Sequence, residues 1–137
     1  MKCLIAVNPH GAACFVSDMY EGSISDETLF EDCGFLEHVT PGDTFMVDKG
    51  FNVKEMLLSK QATIFIPPKK TKPRFRRDEV IKTQRIGKAR VHVERFNERV
   101  KKFRLICGTI PLSLRPIASQ LVYVASCLVN FQDCLCK

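Results

Sequence analysis

The sequence predicts an α/β fold, in which strand-like and helix-like segments alternate along one chain. Short runs rich in β-branched and aromatic residues are bounded by turn residues, which is typical of strands. Between them lie segments with capping residues and one long stripe of apolar residues at helical spacing. With 137 residues, 45% of them hydrophobic, the chain is long enough for one domain with a substantial core.

The N-terminal segment predicts a β-hairpin followed by a short helix. Residues 3–7 and 12–17 are strand-like, and the turn at residues 8–11 ends in Gly11, which tolerates a positive φ angle. Ser25 or Asp26 is a suitable cap for the helix that follows, and Gly34 is its natural stop.

The middle of the chain predicts a second group of strands. Residues 44–47 form a buried strand that ends at Asp48, and residues 62–66 form another that is halted by a pair of prolines. Residues 52–60 between them predict a short helix. Residues 69–76 are basic, contain proline and lack apolar periodicity, so they predict a loop within the domain.

A long amphipathic helix comes next. From Ile86, apolar residues recur at steps of three and four, at Ile86, Ala89, Val93, Phe96, Val100 and Phe103. Such a stripe must pack against another element, and the sheet is the obvious partner. At about 100° per residue, Glu94 lies roughly 130° around the helix from the centre of the stripe, so periodicity alone predicts that it is exposed to solvent.

Residues 117–131 are nearly all apolar but include Gln120 and are short for a bilayer span, so they predict a buried terminal helix rather than a membrane helix. The N-terminal residues lack the pattern of a signal peptide, which predicts an intracellular protein. The seven cysteines show no CxxC pair and no zinc spacing, and their odd number does not suit a disulfide framework. We therefore expect reduced, mostly buried thiols.

Positive charge is concentrated in one part of the chain. Residues 69–104 contain fifteen Lys and Arg against four acids, a local charge of +11, whereas the remainder carries −5. A basic helix of this kind favours a polyanionic partner, with nucleic acid the leading candidate, because it neutralises successive phosphates and releases counterions. A solvated helix face or linker is the alternative.

Two carboxylates occupy positions that suit metal-dependent phosphodiester chemistry. Asp48 directly follows an apolar strand, and Glu94 lies within the basic helix. A nuclease needs anionic oxygens to hold divalent ions, and it needs nearby cations to attract a polyanionic substrate. On spacing alone, the ordinary interpretation is a turn acid at Asp48 and a solvated helix residue at Glu94.

Ordered motifs extend over almost the whole chain. They are Gly-Ser-Ile-Ser-Asp at 22–26, Met-Val-Asp-Lys-Gly-Phe at 46–51, Ile-Pro-Pro at 66–68, His-Val-Glu-Arg at 92–95 with Val-Lys at 100–101 and Phe-Arg at 103–104, and the helix from Pro111 to Asn130. Together they resemble the DDE superfamily endonucleases. More narrowly, they resemble the transposase-derived branch that is related to Harbinger elements and is often found beside THAP zinc fingers.

That resemblance implies a ribonuclease H-like fold, a mixed sheet flanked by helices, in which three acidic residues bind two divalent ions, usually Mg²⁺ or Mn²⁺. The family's second acid falls on Asp48 and its third on Glu94. Two-metal chemistry requires several carboxylates to converge at one point. The motif context therefore favours Asp48 and Glu94 as catalytic and metal-binding residues.

The chain departs from the family pattern at its beginning. In the family, the first catalytic Asp lies on a strand upstream of the one that residues 3–7 match, so the resemblance implies a fold lacking its first strand. Asp18 follows the hairpin, and Asp26 is better explained by helix capping. We therefore expect an incomplete triad, with little or no cleavage by this chain alone.

Two classes of function remain open. One is a metal-dependent nuclease domain spanning residues 3–131 with a tail at 132–137, and the other is a domesticated or decayed remnant that binds DNA or protein without cutting. The expected partners are DNA and a second copy or a full-length transposase, in the nucleus, with no membrane and no small-molecule substrate. The predicted phosphate contacts come from Lys69, Lys70, Arg90, Arg95, Arg99, Lys101 and Lys102.

Overall fold

Short strands and helices alternate along the chain, which confirms the predicted mixed α/β character. The computed structural model describes residues 1–47, 51, 53–66 and 77–133. The elements are β1 (Ile5–Val7), β2 (Ala13–Val16), α1 (Asp26–Asp32), a 3₁₀ turn (Phe35–Glu37), β3 (Thr44–Met46), α2 (Lys54–Ser59), β4 (Thr63–Phe65), α3 (Arg77–Lys101), a second 3₁₀ segment (Leu112–Ile117) and α4 (Ala118–Asn130).

The chain divides into two compact units. The first, which we call the hairpin unit, comprises Met1–Ser25 and Val91–Lys137, and the second, the aromatic unit, comprises Asp26–Arg90. Within the described residues each unit contains one two-stranded sheet, β1–β2 antiparallel in the first and β3–β4 parallel in the second. The ribonuclease H-like mixed sheet stays a prediction.

The predicted β-hairpin is confirmed. Its turn is held by Asn8, whose Oδ1 accepts hydrogen bonds from the N–H groups of His10 and Ala12, both at 3.0 Å. Gly11 in the same turn has φ 87°, which an L side chain rarely adopts. The turn residues therefore set the hairpin, as the sequence pattern predicts.

Helix α4 packs on β2 and is held at both ends by polar side chains. Near its start, Ser119 Oγ accepts the N–H of Met19 at 3.0 Å. At its end, Asn130 accepts the N–H of Ala13 at 2.8 Å and donates to the carbonyl oxygen of Ala13 at 2.9 Å. Because Ala13 begins β2 and Met19 lies beyond its end, α4 runs antiparallel to β2.

The core of the hairpin unit joins α3 to α4. Phe96, Val100, Ala125 and Val129 are buried together, and side chains from the hairpin and from the segment after α3 pack against them. The predicted stripe on α3 is thus confirmed at Phe96 and Val100. The helix starts at Arg77, nine residues before the first residue of the stripe.

The prediction of a buried terminal helix holds for only one face of α4. Val122, Ala125 and Val129 are buried, but Val124 and Leu128 on the other face are 54% and 49% exposed. By length and composition, the segment Leu112–Asn130 also qualifies as a possible membrane span. One such segment is weak evidence for a membrane helix, because the core helices of other proteins pass the same test.

Aromatic rings form the centre of the aromatic unit. Phe30 on α1 contacts Phe35 and Phe51 edge-to-face, with ring centroids 5.5 and 5.6 Å apart, and Phe35 contacts Phe45 on β3 at 5.4 Å. Edge-to-face contacts of this kind add to the burial of the rings. Gly34 ends the α1 segment with φ 75°, which confirms the predicted stop.

The strand prediction for residues 44–47 needs a correction. β3 is present, but Thr44 is exposed and Phe45 and Met46 are only half-buried, so it is not a buried strand. Within the described residues β3 belongs to a sheet of two strands, and so small a sheet covers less of its side chains than a wide sheet packed in a core.

The prediction of mostly buried thiols is also wrong for the cysteines that the structure describes. All five are free, but Cys14 and Cys107 are exposed, and Cys3, Cys33 and Cys127 are half-buried. Cys14 lies on a strand of a two-stranded sheet, and Cys107 lies in the segment after α3, so neither is enclosed by the parts of the chain that the structure describes. Burial raises the pKa of the Cys3 and Cys33 thiols, which keeps them protonated at neutral pH.

Candidate functional site

Glu94 lies on the exposed side of α3, as its angle from the apolar stripe predicts. Its neighbour two positions along, Phe96, is fully buried, whereas Glu94 is exposed. The packing of Phe96 and Val100 against α4 fixes which side of the helix faces the core. The carboxylate of Glu94 is therefore presented to solvent from a firmly packed helix.

Two side chains follow Glu94 on the same face of the helix. Asn97 and Lys101 come three and seven residues later, which places them on successive turns above Glu94. Lys101 is exposed and Asn97 is half-buried. The face thus presents a carboxylate, an amide and an ammonium group in a row.

Several of the predicted phosphate-binding cations are on the surface. Arg90, Arg95, Lys101 and Lys102 are exposed, and Arg99 is half-buried. Exposed cations on a long helix are suited to contacts with successive phosphates.

Lys102 and Arg99 are among the cations that already make contacts within the chain. Lys102 forms an ion pair with Glu98 at 2.9 Å, and the hydrogen bond and charge of Lys102 hold the pKa of Glu98 below its ordinary value. Arg99 donates to the carbonyl oxygen of Asp133 at 2.6 Å. Both contacts would compete with a phosphate, so Lys101 is the better placed cation for a new ligand.

A cavity of about 1030 Å³ lies beside β1 in the hairpin unit, and we call it the β1 groove. Its lining includes Cys3, Leu4 and Ile5 from the hairpin, Asn97 and Lys101 from α3, and Ile106, Ile110 and Arg115 from the segment between α3 and α4. The sequence pattern did not predict this groove. The one available signal was the helical alignment of Asn97 and Lys101 with Glu94.

Asp48, Lys69 and Lys70 lie outside the residues that the structure describes, as does the predicted loop at 69–76. The described chain reaches Val47, whose N–H donates to the carbonyl oxygen of Phe65 at 3.2 Å and so extends the parallel pairing of β3 with β4. Asp48 is the next residue in the sequence, and its position at the end of this strand stays a prediction.

The donor chemistry of the two predicted ligands fits a hard divalent cation. Carboxylate oxygens are the ligands that Mg²⁺ and Mn²⁺ prefer, and Glu94 is accessible to an ion because it is exposed. Within the described part of the chain, no group of three or more His, Cys, Asp or Glu side chains is arranged to hold a metal. The pairing of Asp48 with Glu94 stays a prediction.

Comparison with known proteins places this arrangement in a family. No curated protein matches the chain, and no solved structure does. A family model described as DDE superfamily endonuclease matches residues 1–130. That family generally uses divalent metal ions, and its nuclease chemistry implies a DNA substrate. Because the match covers nearly the whole chain, the protein belongs to the DDE superfamily endonucleases.

Proposed function

We propose that this chain is a transposase-derived endonuclease domain that binds DNA and a divalent metal ion through α3 and the strand end at Asp48. The observation that carries the proposal is the family match over residues 1–130 together with the exposed Glu94 on a basic helix. Harbinger-like ancestry, the ribonuclease H-like topology and a nuclear location belong to the same proposal. The domain would span residues 3–131, with a tail at 132–137.

Asp48 and Glu94 would hold the metal. When bound, divalent ions in such a site activate the attacking oxygen of a phosphodiester cleavage and stabilise the leaving oxygen. The chain's own contribution at Glu94 is to present its carboxylate from a helix that is held by the burial of Phe96. Arg90, Arg95 and Lys101 would hold the DNA backbone near those carboxylates.

The cleavage activity of this chain alone is expected to be weak or absent. Its motifs match the second and third acids of the family pattern, at Asp48 and Glu94. Two carboxylates bind one ion weakly, and the geometry for two ions requires more ligands. A domain that supplies only these two acids would fit the second candidate, a remnant that binds DNA or a transposase partner without cutting.

Metal binding tests the site assignment directly. In a titration with Mn²⁺ followed by electron paramagnetic resonance, Asp48→Asn and Glu94→Gln are each expected to weaken binding about tenfold or more, because each removes a charged oxygen ligand. Glu98→Gln is the matched control, since Glu98 is exposed on the same helix one turn later. Unchanged Mn²⁺ affinity in both ligand variants would exclude a shared ion.

Nicking of supercoiled plasmid DNA separates the two candidate functions. Metal-dependent nicking that both Asp48→Asn and Glu94→Gln abolish would support the enzyme. DNA binding without nicking would support the remnant. In either case the affinity should fall linearly on a plot of log K against log salt, because phosphate contacts release counterions. A salt-independent affinity would exclude the proposed phosphate contacts.

A further inference from the structure

One side of α3 carries three cations at helical spacing. Arg95, Arg99 and Lys102 follow one another at steps of four and three, which places them on one face of the helix, next to the face of Glu94. This spacing suits contacts with successive phosphates of a DNA backbone. Arg99, however, is already bound by the segment that follows α4, because its guanidinium group donates to the carbonyl oxygen of Asp133 at 2.6 Å.

The end of α4 is held in a fixed place beside α3. Val129 is buried in the same core as Phe96 and Val100. The next residue, Asn130, binds both the N–H and the carbonyl oxygen of Ala13. Apolar burial and these two hydrogen bonds therefore keep the end of α4 close to the last turn of α3.

Backbone hydrogen bonds set the course of the chain after α4. The N–H of Phe131 donates to the carbonyl oxygen of Leu128 at 3.2 Å, and the N–H of Gln132 donates to that of Val129 at 3.1 Å. Phe131 has helical backbone angles, φ −88° and ψ −5°. These bonds continue the curvature of the helix and bring the carbonyl oxygen of Asp133 to α3.

A carbonyl oxygen is a weaker partner for Arg99 than a phosphate. The carbonyl group is neutral, whereas a contact between guanidinium and phosphate joins two charges and is roughly twice as strong. Arg99 is half-buried, while Arg95 on the same face is exposed. DNA must therefore displace the segment after α4 before a phosphate reaches Arg99, and the cost of that displacement lowers the affinity for DNA.

We propose that residues 131–133, which we call the α4 turn, form an autoinhibitory cover that holds Arg99 away from DNA. When the turn is released, Arg99 joins Arg95 on the same face and adds one phosphate contact. This inference rests on the proposed binding of DNA by α3, and it deepens that proposal by naming a contact that regulates the affinity. It is independent of metal binding and of DNA cleavage.

A proline at position 132 opens the α4 turn without changing any charge. Gln132→Pro removes the N–H that binds Val129, and a proline disfavours helical backbone angles in the residue before it, here Phe131. Because proline is common just after the end of a helix, α4 itself should be kept, and circular dichroism checks this. Gln132→Ala is the matched control, since it keeps the N–H at the same exposed position.

Chemical modification of arginine tests the cover in the absence of DNA. Phenylglyoxal reacts with accessible guanidinium groups, and mass spectrometry of peptides gives the rate at each arginine. In Gln132→Pro the rate at Arg99 should rise about fivefold, which is the scale of one net hydrogen bond, while the rate at Arg95 should stay unchanged. Equal rates at Arg99 in Gln132→Pro and Gln132→Ala would overturn the proposal.

DNA binding tests the regulation itself, with a fluorescein-labelled duplex and fluorescence anisotropy as the measurement. Gln132→Pro should bind the duplex about fivefold more tightly than Gln132→Ala, because DNA no longer displaces the α4 turn. The slope of log K against log salt should also become steeper by about 0.9, which corresponds to one additional phosphate contact.

Two combined variants identify the cation that is responsible. Adding Arg99→Gln to Gln132→Pro should abolish the gain in affinity, whereas adding Arg95→Gln should lower the affinity but keep the gain. Equal affinities of Gln132→Pro and Gln132→Ala, or a gain that persists with Arg99→Gln, would overturn the autoinhibitory cover alone. Absence of DNA binding in every variant, the unchanged chain included, would overturn the proposed function together with it.

Discussion

The two units of the molecule each contain a pair of strands and helices, but different interactions hold them. In the hairpin unit, side chains such as Ser17, Ser119 and Asn130 bind backbone groups at the ends and edges of the strands. In the aromatic unit, the contacts are between the rings of Phe30 and Phe35 and their neighbours. The hairpin unit thus adds side-chain hydrogen bonds to its apolar core around Phe96, whereas the aromatic unit is held mainly by its buried rings.

This difference shows how a small sheet is stabilised when it has few neighbouring strands. A two-stranded sheet is marginal by itself in water. In the antiparallel pair, polar side chains bind backbone groups that a further strand would otherwise bind. Asn130 does so with the N–H and the carbonyl oxygen of Ala13. The parallel pair is completed by apolar packing. We therefore expect the two units to respond differently to loss of an aromatic ring, of an amide and of a charge.

The largest effect is expected in the aromatic cluster. Phe30→Ala removes a side chain that is 2% exposed and that contacts two other rings. The free energy of unfolding should fall by about 3–5 kcal/mol, because burial is lost and a cavity remains. Denaturant unfolding followed by circular dichroism measures this loss. Phe131→Ala is the control, since Phe131 is 89% exposed, and a similar loss in both variants would contradict the comparison.

An intermediate effect is expected at the polar contact between α4 and β2. Asn130→Ala removes both hydrogen bonds to Ala13 and should lower the free energy of unfolding by about 1 kcal/mol, because water partly replaces them. Hydrogen exchange at the Ala13 amide should become faster. Gln132→Ala, at an exposed position two residues later, should leave that exchange rate unchanged. Unchanged exchange in Asn130→Ala would exclude the proposed role of the amide.

The smallest effect is a pH dependence in the aromatic unit. Asp43 accepts hydrogen bonds from the Thr40 N–H and hydroxyl, both at 2.9 Å, which hold the pKa of Asp43 below its ordinary value. A carboxyl group with a lowered folded-state pKa stabilises the fold above its unfolded pKa of about 4 and loses this contribution as the pH falls through the folded value.

Thermal unfolding of Asp43→Asn and of the unchanged protein measures that contribution. The unchanged protein should have the higher midpoint at pH 7, and the difference should disappear in acid below the lowered pKa. A difference that persists or increases in acid would contradict the assignment. Glu98→Gln offers a parallel measurement in the hairpin unit, where Lys102 lowers the pKa of Glu98.

Much of the fold was predictable because local residues decide it. The turn at Asn8 and Gly11 and the stop at Gly34 depend on side-chain capping and on backbone angles that only a few residues tolerate. The start of α3 was missed because residues 77–85 carry few apolar side chains. The acids Asp78 and Glu79 in its first turn, which favour a helix start, were the available signal.

The candidate site was predictable only where a single helix defines it. The exposure of Glu94 follows from its angle on α3, which the sequence gives directly. The β1 groove joins residues as distant along the chain as Cys3, Asn97 and Arg115, and no local pattern reports such a meeting. The exposed face of α4 was also missed. The helix is apolar on both faces, so its composition does not reveal which face packs against the rest of the unit.

The distribution of tyrosine gives the hairpin unit its own spectroscopic signature. The chain contains two tyrosines and no tryptophan, and both tyrosines, Tyr20 and Tyr123, belong to the hairpin unit. Tyrosine fluorescence therefore reports on that unit alone, whereas phenylalanine residues occur in both units. Comparison of tyrosine fluorescence with unfolding followed by circular dichroism, to which both units contribute, distinguishes units that melt together from units that melt separately, without any added label.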